Sequence, residues 1–193
     1  MLNGWLCEKL VECDEVTGVD VAEAAISDAK SRVPNVTFFA ADFCSLDLPP
    51  ARFDVALALE IFSHVPDQRG FVRQLAAVLK PGGHLILLTQ NRLIYSRRSD
   101  IAPQGVGQVR CWVTMRQLRA LVAPHFDVLR AFTMGPSGHL GFLRMVNSAK
   151  LNAALSRVIP HPKIDWLKER AGLGQTLVML AQRRVERETV RKG

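Results

Sequence analysis

The stretch Phe53–Asp67, FDVALALEIFSHVPD, decides the fold of this chain. From Asp54 to Leu59 it is a short, largely apolar run, too brief for a typical helix and flanked by polar residues. That pattern predicts a strand buried on both faces of a parallel sheet. The run ends in Glu60, and His64, Val65, Pro66 and Asp67 follow closely. In open α/β sheets ligands collect beyond the carboxyl ends of central strands, so Glu60 and His64 fall where chemistry is expected.

Upstream, Glu15 to Val19 is a β-rich run closing on Asp20, and Val21 leads into an alanine-rich helix over Ala22 to Arg32. Pro34 and Asn35 stop that helix. Val36 to Ala40 is another β-type run, closing on Asp42 and Phe43, and Asp47 to Arg52 is a loop. At the beginning, Trp5, Leu6, Leu10 and Val11 recur at helical spacing just after Asn3 and Gly4, with no strand before them.

Downstream, Phe71, Val72, Leu75, Val78 and Leu79 share one helical face, and Lys80, Pro81, Gly82 and Gly83 carry the signals of a helix end. Leu85 to Thr89 then predicts another buried strand. Asn91 to Trp112 is a long loop rich in arginine, and Thr114 with Gln117 predicts a capping box, with Val113 and Leu118 as its staple, on a helix reaching about Ala123. Phe126 to Phe132 is a strand. Gly135 to Gly174 is an insertion with an amphipathic helix near Ser148 to Val158 and a Pro160-His161-Pro162 break, and Thr176 to Ala181 is the last strand. Strands and helices thus alternate, which argues for an α/β fold with a doubly wound, mainly parallel sheet.

With 193 residues, 48% of them hydrophobic and 22% charged, the composition is that of one globular domain, and no run approaches a membrane span. Cys7, Cys13, Cys44 and Cys111 form no CxxC pair and have no histidine at metal-ligand spacing, so no metal site is expected and reduced thiols in a cytoplasm are. The net charge of +7 comes from basic residues spread along the chain, without the interleaved aromatics of a nucleic-acid surface. Residues 183–193 read as a basic tail.

The ordered set Asp20, Asp42, Glu60 and LKPGGHL, together with SHVPD, resembles the class I S-adenosylmethionine-dependent methyltransferases, most of all the small-molecule quinone-biosynthesis O-methyltransferases. The resemblance covers Trp5 to Ala181 and is strongest from Val16 to Thr89. It implies a Rossmann-like domain over residues 1–182 whose last strand is antiparallel, with S-adenosylmethionine as cofactor. It also implies that Asp20 accepts from the ribose hydroxyls, with Val21 beside it, and that Asp42 accepts from the adenine amino group, with Phe43 packed on the base. Leu59 and Glu60 would face the methionine end. Each has a structural alternative: a helix N-cap for Asp20, a loop-initiating carboxylate for Asp42, a core ring for Phe43 and a solvated acid for Glu60.

Methyl transfer to a hydroxyl needs a base, and His64 is the candidate, the alternative being a histidine that packs the following helix. Ser63 stands where some relatives carry a glutamate, which argues against metal assistance. The first strand and most of the glycine-rich turn are missing from the pattern, with Gly4 as the turn's last glycine. The chain is therefore expected to be either a shortened methyltransferase or a degenerate, inactive relative serving as a binding module. The insertions 91–112 and 135–174 are the expected acceptor site. There Arg92, Arg97, Arg98, Arg144 and Lys163 would suit an acidic or phosphorylated small molecule.

Overall fold

The computed structural model describes residues 9–12, 15–98, 100–102, 104–105, 107–136, 148, 153 and 160–185. The chain divides into two compact units, Met1–Leu48 and Pro49–Gly193.

In the first unit, β1 (Thr17–Asp20) and β2 (Thr37–Ala40) pair in parallel, from Thr17 opposite Thr37 to Asp20 opposite Ala40. The crossover between them is α1 (Glu23–Arg32), with an acid in its first turn and Lys30 and Arg32 in its last. Ile26, Ala29, Val33, Val36 and Phe38 form the core of the unit. Gly18 makes that core possible, because a Cβ there would sit 2.5 Å from the Phe38 ring. Burying one such ring is worth about 1.5 to 3 kcal/mol. Lys9 and Leu10 are helical. Gly4 and the rest of the helix predicted from Trp5 lie outside the described residues.

The second unit is built on a four-stranded sheet of order β3-β4-β6-β5. Strand β3 (Phe53–Leu59) runs parallel to β4 (Leu79–Gln90), whereas β6 (Gly174–Arg183) is antiparallel to both β4 and β5 (Phe126–Pro136). The predicted antiparallel last strand is therefore present. Helix α2 (Gln68–Val78) buries Phe71, Val72, Leu75, Ala76 and Val78, and the Asp67 carboxylate caps it by accepting from Gly70 N at 2.8 Å. A single turn, α3 (Arg92–Tyr95), interrupts the predicted long loop. Helix α4 (Met115–Val122) starts with the predicted capping box, in which Gln117 N donates to Thr114 Oγ1 at 3.3 Å and Thr114 N to Gln117 Oε1 at 2.9 Å.

Several boundaries differ from the sequence expectation. Strand β4 begins at Leu79, six residues early, because Lys80 to Gly83 form a bulge: Phe53 pairs with Leu79 and Val55 with His84. Gly82 at φ +81° turns the chain there, and the Lys80 ammonium reaches the Asp54 carboxylate at 2.8 Å. Strand β5 runs four residues further, to Pro136. Pro160 to Pro162 open a helix, α5 (His161–Arg170), since proline is tolerated in a first turn. Finally, β6 extends to Arg183, whose guanidinium donates to Leu79 O, and Arg184 Nε donates to Asp127 at 2.9 Å. These two residues belong to the sheet and its edge rather than to a tail. The helix predicted near Ser148 to Val158 and the rest of the tail fall mostly outside the described residues. Among the described residues no helix is long and apolar enough to cross a membrane.

Candidate functional site

In the first unit, parallel pairing sends the chain out of β1 and β2 at the same end. Ala41 N donates to Asp20 O at 3.0 Å and ties the two exits together. The Asp20 carboxylate accepts from Ala22 N through Oδ1 at 2.9 Å, and its other oxygen has no partner among the described residues. The N-cap position of α1 belongs to Ala22, so Asp20 holds a turn ahead of the helix and is not its cap. Val21 is 68% exposed.

Asp42 does cap a 3₁₀ turn over Phe43–Ser45, accepting from Cys44 N at 3.0 Å, while remaining exposed to solvent; Phe43 is half-buried. Two carboxylates thus leave one end of a parallel pair, each with acceptor capacity to spare for a ligand bearing hydroxyl or amino donors.

In the second unit, Glu60 N still donates to Leu88 O at 2.9 Å, continuing the pairing of Leu59 with Leu88. Glu60 itself adopts φ +59°, which swings the chain out of β3 into a 3₁₀ turn over Phe62–His64. Desolvation raises the Glu60 pKa above the ordinary carboxylate value, although much of the residue's surface is exposed. The nearby His64 and a hydrogen bond from the Thr176 side chain oppose that rise. Thr176 reaches this position from the start of β6, where it pairs with Gln90.

The turn carrying His64 is held from below. The buried Ser63 hydroxyl donates to Gln90 Oε1, and Cys111 N donates to Ser63 O at 2.7 Å. Gln68 Nε2 bridges Phe62 O and Cys111 O at 3.1 and 2.7 Å. Ser63 thus ties the turn to the end of β4 and to the last residues of the long loop. Above it, the exposed His64 ring places Nδ1 3.3 Å from Val109 O. An open cavity of about 440 Å³ is lined by His64, Gly107, Gln108, Val109 and Arg110. Among the described residues no group of three His, Cys, Asp or Glu converges on a point that could hold a metal.

Two of the arginines expected to meet an acidic acceptor, Arg97 and Arg98, make contacts within the chain. Arg98 forks onto Asp100, donates to Gln175 Oε1 at 2.9 Å and lies 5.3 Å over the Tyr95 ring. Arg97 donates to Leu93 O at 2.9 Å. Arg92 and Lys163 are exposed, and Arg144 lies outside the described residues.

Sequence reasoning missed Tyr95 and Arg110. Tyr95 packs 5.3 Å from Trp112, and burial together with the negative Glu60 raises its pKa. It is the one tyrosine of the chain and follows a strand end by five residues, a signal the sequence does contain. Arg110 is one arginine among many and has no such signal.

Residues 2–87, which run through β1 and β2 to the middle of β4, match the family model described as a methyltransferase domain. The match takes in less than half of the chain, the stretch that carries Asp20, Asp42, Glu60 and His64. The chain is 37% identical over 86 residues to the "Probable S-adenosylmethionine-dependent methyltransferase" of Mycobacterium tuberculosis, covering 45% of this chain and 31% of that protein. It is also 37% identical over 81 residues to the ubiquinone biosynthesis O-methyltransferase of Coxiella burnetii, covering 40% of this chain and 35% of that protein. The matched segment thus spans about a third of the length of these curated relatives.

Solved structures extend the methyltransferase likeness along the chain. An S-adenosylmethionine-dependent methyltransferase from Mesorhizobium loti aligns with a TM-score of 0.66 at 22% identity, over 93% of this chain and 86% of the other. The N-methyltransferase NodS of Bradyrhizobium japonicum, solved with S-adenosyl-L-homocysteine, aligns at 0.61 and 16%, over 94% and 73%. At these identities the likeness is one of fold, and the fold is that of the class I methyltransferases.

Proposed function

We propose that this chain is an S-adenosylmethionine-dependent methyltransferase that methylates a hydroxyl of a small molecule. The observation that carries the proposal is the pair of carboxylates, Asp20 and Asp42, at one end of a parallel strand pair inside the matched segment. In this proposal Asp20 accepts from the ribose hydroxyls and Asp42 from the adenine amino group, with Val21 and Phe43 against the base and sugar.

When bound, S-adenosylmethionine supplies an electrophilic methyl group on a sulfonium sulfur. The chain's own contribution is alignment, exclusion of water and acceptance of one proton. His64 suits the last task. A carbonyl oxygen only accepts, so the Nδ1 contact with Val109 O places the ring proton on Nδ1 and leaves the Nε2 lone pair available. With a hydroxyl acceptor, Nε2 of His64 would take the hydroxyl proton. Incubating the chain with methyl-tritiated S-adenosylmethionine and matched panels of phenols and amines tests this. Label in phenols supports the O-methyl proposal, label confined to amines contradicts the hydroxyl acceptor, and label in neither contradicts the activity.

A further inference from the structure

We infer that Arg110 sets the specificity of the His64 cavity and that the acceptor is a hydroxy-carboxylate, its carboxylate held by the Arg110 guanidinium. This rests on placing the acceptor in that cavity, as the proposed function does. Arg110 and His64 both line it, so a molecule filling its 440 Å³ meets a cation and a proton acceptor together.

Among the described residues no acid forms an ion pair with Arg110. Every ion pair among them involves another cation: Arg32 with Asp28, Lys80 with Asp54, Arg98 with Asp100, Lys168 with Asp165 and Arg184 with Asp127. Arg110 instead donates to two neutral oxygens, Ala102 O at 2.7 Å and Gln108 Oε1 at 3.4 Å. A guanidinium has five N–H donors, so three remain for a ligand.

The two neutral bonds also fix the group in place. Gln108 Oε1 accepts from Gly105 N at 3.2 Å, and Gln104 Nε2 donates to Gln108 O, so the loop that presents Arg110 is tied to itself. A held planar fork recognises a carboxylate through two parallel charge-assisted bonds. One guanidinium balances one negative charge, which favours a carboxylate over a doubly charged phosphate ester. Arg97 and Arg98, by contrast, spend donors on Leu93, Asp100 and Gln175.

The test is a calorimetric titration of the whole chain with ortho-, meta- and para-hydroxybenzoate, each against its primary amide, which has nearly the same shape without the charge. At least one acid should bind about tenfold more tightly than its amide, the preference should weaken with added salt, and Arg110→Gln should bring acid and amide together while Arg110→Lys keeps part of the difference. Equal binding of acid and amide by the unmodified chain overturns the inference, as does binding of none of the acids. So does an acid preference that survives in a folded Arg110→Gln variant. No methyl transfer is read in this titration, so its failure is distinct from failure of the methyltransferase proposal, which appears as absent binding of S-adenosylhomocysteine.

Discussion

The Nδ1 atom of His64 stands 3.3 Å from the carbonyl oxygen of Val109, and that contact determines which ring nitrogen can take a proton. If Nε2 is the base for a hydroxyl acceptor, His64→Ala lowers turnover by about 10²- to 10⁴-fold while S-adenosylhomocysteine affinity stays close to that of the unmodified chain. Parallel loss of turnover, cofactor affinity and melting temperature would instead assign His64 a purely structural part at the start of its turn.

Glu60 combines two costs. Its φ of +59° is unfavourable for a residue with a side chain, and desolvation raises its pKa above 4.5. An acid whose folded pKa is raised binds more protons folded than unfolded between the two values, so its charge opposes folding above that window and not below it. Glu60→Gln should therefore raise the melting temperature at neutral pH, by a margin that shrinks as pH falls through the raised pKa and is lost below the ordinary carboxylate value. Because the residue is substantially exposed, the gain should stay under about 1 kcal/mol. Glu60→Gly removes the backbone cost as well and should stabilise further. Melting curves at neutral and acid pH decide this, and a destabilised Glu60→Gln would contradict it.

Thr89 is fully buried in β4, and its Oγ1 has no hydrogen-bond partner among the described residues. Replacing the hydroxyl with a methyl of similar size removes a desolvated polar group without opening a cavity. Thr89→Val should stabilise the chain by about 1 kcal/mol in chemical denaturation, and Thr89→Ser, which keeps the hydroxyl and deletes a methyl, should destabilise it by about as much. A loss of stability in Thr89→Val would mean that the hydroxyl is bonded in solution.

Local signals were the legible ones. Thr114 and Gln117 form the predicted box because a capping box lies within four residues, and α1 and α2 follow from composition and apolar spacing. What the sequence concealed was decided by distant partners or by tolerance. Lys80 to Gly83 look like a simple helix stop, yet β3 pairs across them and makes a bulge. Pro160 and Pro162 look like a break, yet proline suits a helix's first turn. Arg97 and Arg98 look free for a ligand, yet Gln175, 77 residues on, takes one of Arg98's donors. Within the candidate site, the acids at strand ends were readable from their position after β-type runs. Arg110 depends on how the long loop folds back, which no short-range pattern encodes.

The central claim is that the carboxylates leaving β1 and β2 hold the cofactor. Isothermal titration of the chain with S-adenosylhomocysteine, beside its Asp20→Ala variant, tests it most directly. The account predicts one-site binding by the unmodified chain, weakened by about 1 to 3 kcal/mol in Asp20→Ala with little change in melting temperature, since Asp20 is not the cap of α1. Absence of binding by the unmodified chain, or equal affinity of the two, would contradict it.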